Sequence, residues 1–239
     1  MSKMKIAAAL LGGLLSSVCG GGAQAVQITY ADFGGGSSFS SKGFDITATG
    51  GDFQQKGNFG GSFGVGVGSV NNSVVSGEID AGKSVAEGGT GVPESISFQT
   101  SIPQFLESFT VAFLYPKGQF SDDVNETARI IINNITYTLS VDDGGGTATF
   151  SDPGLVNVFL DNANGGQWTV SFLNPFLLQG IVFAPGNGGP NSVLGDFAFN
   201  QLTTSPVPGP IVGAGLPGLM MALGGLVVLA RRRRHHAGV

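Results

Sequence analysis

Along the middle of this chain, large apolar side chains recur at every second position with small or polar residues between them. Phe44-Asp45-Ile46-Thr47-Ala48, Glu94-Ser95-Ile96-Ser97-Phe98 and Phe109-Thr110-Val111-Ala112-Phe113 follow this rule. So do Ile135-Thr136-Tyr137-Thr138-Leu139, Trp168-Thr169-Val170-Ser171-Phe172 and Phe197-Ala198-Phe199. Successive side chains of a strand point to opposite faces, so each run has one apolar face and one polar face. Ten to twelve such runs are punctuated by turn signals such as Asp143-Gly144, Asn164-Gly165 and Asn187-Gly188. No part of the body carries sustained helical periodicity. Closely spaced strands without helices predict an all-β, antiparallel β-sandwich of jelly-roll type.

Glycine supports that reading, because 29 of the 180 residues from Val26 to Ser205 are glycine, mostly clustered where turns need positive φ. One stretch departs from the pattern. Gly60-Gly61-Ser62-Phe63-Gly64-Val65-Gly66-Val67-Gly68 alternates glycine with Val and Phe, leaving one strand face bare. Such a face either lies flat against a polysaccharide or is covered closely by a neighbouring segment. It is not a phosphate loop, since no helix follows and no lysine is placed to meet phosphate.

The two ends differ from the body. Lys3 and Lys5 precede an apolar run from Ile6 to Val18, and Ala23-Gln24-Ala25 is an A-x-A cleavage site. Residues 1–25 therefore read as a signal peptide, with Ala23 and Ala25 met by signal peptidase and Val26 as the mature N-terminus. At the other end, Ile211 to Ala230 is free of charge, and Arg231, Arg232, Arg233 and Arg234 follow it. Twenty apolar residues at about 1.5 Å each span about 30 Å, a bilayer's hydrocarbon thickness. The arginines hold their end on the cytoplasmic side, which places the body across the membrane. The expected organisation is a signal peptide (1–25), a secreted β-sandwich domain (26–204) and a sorting tail (205–239). The tail contains a transmembrane helix over 211–230.

A proline pair, a glycine-punctuated apolar span and an arginine cluster, in that order, resemble the PEP-CTERM sorting signal of Gram-negative bacteria that make extracellular polysaccharide. Val207-Pro208-Gly209-Pro210 stands where that family usually has Val-Pro-Glu-Pro, with Gly209 replacing glutamate. The resemblance implies a temporary anchor, recognised by an exosortase that cuts near the proline motif. The body itself, with Glu78-Ile79-Asp80 and the ending Asp196-Phe197-Ala198-Phe199, is similar to many PEP-CTERM proteins without an assigned activity.

Between the two ends, sixteen acidic residues face five basic ones, Lys42, Lys56, Lys83, Lys117 and Arg129. The body thus carries −11, against −5 for the whole chain. That charge opposes nucleic acid as a partner, since both are polyanions. Cys19 falls in the leader, while His235 and His236 follow the arginines, so the body contains neither residue type. Disulfides, Cys or His nucleophiles and the usual zinc ligands are thereby excluded.

Carboxylates are what remain for chemistry. Glu78, Asp80, Glu94, Glu107 and Glu126 lie in or beside expected strands, and a glycosidase needs two. Trp168 either grips a sugar ring or packs in the core. Oxygen-rich loops suit calcium, and Glu78, Asp80, Asp123, Asn125 and Asp196 form a candidate calcium set. The same acids read equally as solvated turns. The expected function is an exported, non-catalytic surface or extracellular-matrix protein, processed by an exosortase and associated with exopolysaccharide. The alternative is a secreted carbohydrate-active hydrolase.

Overall fold

A computed structural model describes residues 24–68, 77–81, 92–119, 125–186 and 196–207. The expected membrane span, Pro208 to Pro210, the four arginines, Ala23 and Asp123 lie outside these residues. The alternating runs become strands. The first half holds β1 (Val26–Thr29), a single 3-10 turn (Tyr30–Asp32), β2 (Ser38–Ser41), β3 (Phe44–Thr49), β4 (Asp52–Phe59) and β5 (Ser62–Gly68). The rest are β6 (Ser95–Ala112), β7 (Thr127–Ile132), β8 (Ile135–Val141), β9 (Ala148–Phe150), β10 (Val156–Asn162), β11 (Gln167–Pro185) and β12 (Ala198–Pro206). All twelve join one antiparallel hydrogen-bonded sheet, so the molecule is all-β. β12 runs to Pro206, two residues beyond the expected boundary at 204, and the chain divides into units Met1–Pro206 and Val207–Val239.

β6 and β11 organise the sheet. They pair from Trp168↔Val111 to Phe183↔Ile96, with register shifts between Ser171 and Phe176 and between Leu178 and Gly180. Pro103 and Pro175 lie within these long strands and have no N–H to donate to a ladder. The prolines coincide with a fold in the ribbon. Ile96 and Phe109 are separated by roughly 40 Å of extended strand. Yet Phe183, the register partner of Ile96, has its ring 5.4 Å from that of Phe109. β6 and β11 therefore double back together around the prolines. One half of β6 takes β3 as neighbour and the other takes β12. Likewise β11 pairs with β7 on one half and β10 on the other.

The inner faces meet in one aromatic core. Phe98 packs against Phe33, Phe44, Phe183 and Phe199, mostly edge to face. Each buried ring is worth about 2–3 kcal/mol relative to exposure, so these phenylalanines are the principal glue of a chain without disulfides. β1 closes the arrangement by pairing with β12, from Val26↔Thr204 to Thr29↔Gln201.

The bare glycine face of β5 is covered by its own chain. A Cβ on Gly64 would lie 2.5 Å from Ala198 Cβ and 3.2 Å from the Phe113 ring. One on Gly66 would overlap the backbone of Glu78. Two bridges hold that neighbouring segment in place, Val67 to Glu78 and Ile79 to Phe197. The glycines are there for close backbone approach, and the face is not an open platform.

Candidate functional site

Among the described residues, buried carboxylates gather around the segment 77–81. Ile79 enters the core, so its neighbours Glu78 and Asp80 both turn the other way, as strand alternation demands. Both are buried, as are Glu94, Glu126 and Asp196. Short backbone links tie these acids together. Ile79 N–H donates to the Phe197 carbonyl at 2.6 Å, which sets Asp196 beside this segment. Glu94 N–H donates to the Asp80 carbonyl at 3.0 Å, and the Glu94 carboxyl accepts from Asp80 N–H at 3.2 Å. Glu126 and Tyr115 repeat the reciprocal pattern, with Tyr115 N–H donating to the Glu126 carboxylate at 2.5 Å and Glu126 N–H to the Tyr115 carbonyl at 3.0 Å.

Lys56 enters this acidic group from β4. In the β4–β5 register it stands opposite Gly64. Its ammonium contacts the Glu78 carboxylate and lies 4.5 Å from the centre of the Phe113 ring. Phe113 is buried and holds φ at 63°, a conformation that bulky side chains rarely adopt. Strain of this kind, about 1–3 kcal/mol, persists only where the surroundings over-determine the backbone. Here two hydrogen bonds do so, from Phe113 N–H to the Gly165 carbonyl at 2.9 Å and from Leu114 N–H to Gly166 at 3.0 Å. Phe113, Ala112, Tyr115 and Ala198 form a second small apolar cluster under the lysine.

Burial dominates the electrostatics. It pulls the Lys56 ammonium below its ordinary range, against the opposing pull of Asp196 and Glu126. Burial, reinforced by the negative charges of Asp80 and Asp196, pushes Glu94 up to about 8 despite its hydrogen bond from Asp80. Glu94 is therefore a neutral acid at pH 7. Its Oε1 is buried and meets no hydrogen-bond partner among the described residues. Burial and the Glu126 charge likewise push the Tyr115 phenol up to about 12.

Four of the five acids singled out by sequence, Glu78, Asp80, Glu94 and Glu126, are thus drawn into one region, while Glu107 stays partly exposed on β6. Of the calcium set, Glu78, Asp80 and Asp196 lie in this region, and Asp123 is outside the described residues. Asn125 is occupied elsewhere, accepting from Lys117 N–H at 2.8 Å and donating to Asp143 at 3.0 Å in a loop contact. Among the described residues, no three Asp, Glu, His or Cys side chains are spaced to hold a metal ion. The acids are near enough to feel each other's charge without converging on a point, and Glu78 already has a cation in Lys56. The lysine was the part sequence reasoning missed. No local signal in the sequence marked it.

Trp168 belongs to the core. It is 2% exposed, and its indole N–H donates to the Leu114 carbonyl at 3.0 Å, so its ring face is unavailable as a sugar platform. Beside it lies a cavity of about 200 Å³, lined in part by Tyr115, Gln119, Gly145, Leu160 and Asn164. No family model matches the chain, and no curated protein or solved structure matches it either.

Proposed function

We propose that this chain is an exported, non-catalytic surface or extracellular-matrix protein, held by its tail until an exosortase processes it and then associated with exopolysaccharide. The observation that carries the reading is the order of Val207-Pro208-Gly209-Pro210, the apolar run 211–230 and Arg231 to Arg234. Signal peptidase and the membrane are the further partners in this scheme, and β1 begins at Val26, directly after the A-x-A site, so a cut there would spare every strand. The body is read as a sandwich of jelly-roll type. The doubled-back β6–β11 ribbon and the pairing of the first strand with the last support that finer assignment.

The test is processing in a host that supplies the exosortase. Replacing Arg231 to Arg234 with neutral residues should impair orientation and cutting. Changing Pro208 and Pro210 to alanine should leave an uncut, membrane-held form. Wild-type processing of both variants would refute the sorting role. N-terminal sequencing should begin at Val26, and exported protein that starts elsewhere would move the leader boundary.

A second reading, a secreted carbohydrate-active hydrolase, draws support from one observation. Glu94 is a neutral acid beside the carboxylates of Asp80 and Asp196, the contrast that glycoside hydrolysis uses. Against it, all three are buried. Polysaccharide hydrolysis that is abolished by Glu94→Gln would favour the enzyme.

A further inference from the structure

We propose that Lys56 and Glu78 become joined by an intramolecular amide bond, a covalent crosslink between β4 and the segment 77–81. The inference does not depend on export or on the sorting tail. It rests on four features that a buried ion pair alone does not require together. First, the amine of Lys56 and the carboxyl of Glu78 are in direct contact, with the carboxyl buried. Second, the Phe113 ring lies against the amine and excludes water from one side of it. Third, backbone approach fixes both partners, because Gly77, at φ 85°, sits against the Lys56 backbone and Gly66 against that of Glu78. Fourth, two further carboxylates, Asp196 and Glu126, lie near enough to act electrostatically on the amine.

The chemistry balances without any outside reagent. With the carboxyl buried and the ammonium partly desolvated, the charged and neutral pairs draw closer in energy, so a proton passes from the ammonium to the Glu78 carboxylate. The Nζ lone pair then attacks Cδ of the protonated carboxyl, forming the C–N bond. The Asp196 or Glu126 carboxylate takes the second amine proton and delivers it to the departing hydroxyl. The Cδ–O bond breaks, and one water leaves. Nothing is oxidised or reduced. A neutral amide replaces a buried carboxylate and a partly buried ammonium, which removes their desolvation cost. In a body lacking cysteine, this would supply the covalent staple that exported domains commonly take from disulfides.

Trypsin gives a direct readout on the full chain, because Lys42, Lys56 and Lys83 are the only tryptic sites near the pair. After denaturation and digestion, the crosslinked protein should yield residues 43–83 as one species, lighter than its sequence by one water and uncut after Lys56. Glu78→Gln should yield the same joined peptide lighter by one ammonia, since an amide nitrogen leaves instead of hydroxyl. Lys56→Arg should give separate peptides 43–56 and 57–83. Wild-type protein that releases 43–56 and 57–83 at full mass would overturn the proposal and leave a plain ion pair. That result needs no variant to fold.

Discussion

Gly66 on β5 and Glu78 lie so close that a single methyl group on the glycine would overlap the Glu78 backbone at its N, Cα and carbonyl carbon. Backbone has nowhere to retreat here, because Val67 N–H donates to the Glu78 carbonyl at 3.0 Å on the same side. Gly66→Ala should therefore destabilise the fold by about 1–3 kcal/mol, the usual cost of overpacking. Urea denaturation of the variant would show it as a lower midpoint. Gly57→Ala, where an added Cβ meets nothing within 4 Å, is the matched control and should be nearly neutral.

Removing Lys56 tests the charge balance of the site. Lys56→Met would strand the Glu78 carboxylate among four other buried acids, at a cost of about 3 kcal/mol or more. Adding Glu78→Gln should recover much of that loss, because the uncompensated charge goes with it. Equal losses in the single and double variants, compared by chemical denaturation, would show that Lys56 does not serve Glu78.

Glu94 sets a pH dependence whose sign is fixed. Its pKa rises from an ordinary 4.5 to about 8 in the folded chain. Below 4.5 both states are protonated and its contribution is complete. Between 4.5 and 8, unfolding releases a proton, so stability falls as pH rises, by at most about 1.4 kcal/mol per pH unit. Above 8 the loss is complete. Melting curves at intervals from pH 5 to 8 should show the decline, and Glu94→Gln should flatten it. An unchanged slope in that variant would assign the pH dependence to other groups.

Calcium and magnesium separate a metal site from simple screening. With Lys56 against Glu78 and Asn125 engaged by Lys117 and Asp143, calcium should raise the melting temperature no further than equal magnesium. A saturable rise specific to calcium and lost in Asp80→Asn would instead establish the site.

Trp168→Phe keeps most of the ring volume but deletes the indole N–H that satisfies the Leu114 carbonyl. The variant should lose about 1–3 kcal/mol, chiefly from the acceptor left buried, while its circular dichroism stays β-rich. A change within a few tenths of a kcal/mol in denaturant titration would mean that water replaces the indole.

Period-two alternation made the strands and their buried faces legible, and it correctly put Glu78 and Asp80 on one side of a segment with Ile79 on the other. It failed where a local signal misrepresents a longer element. Pro103 and Pro175 each lie inside one long strand, at a break in register that local alternation does not encode. Phe113 continued an alternating run in sequence but leaves the strand with positive φ, since the 163–166 turn captures its backbone. The glycines of β5 had two readings, and only the position of residues 77–81 decides between them. Lys56 was invisible because its partner depends on the β4–β5 register and on a segment twenty-odd residues further along, neither of which local composition encodes.

β6 ends at Ala112 and its central partner β11 begins only at Gln167, while β1 must wait for β12 to close against it. Synthesis therefore delivers β1 long before β12, and β6, although β3 precedes it, long before its partners β11 and β12. Non-local pairing of this kind is slow, because the entropy of closing the chain is lost before contacts repay it. The pairings that close the sheet therefore form only after its last strand has been made. The order of strands along the chain thus makes closure of the sheet a late event in the life of the polypeptide.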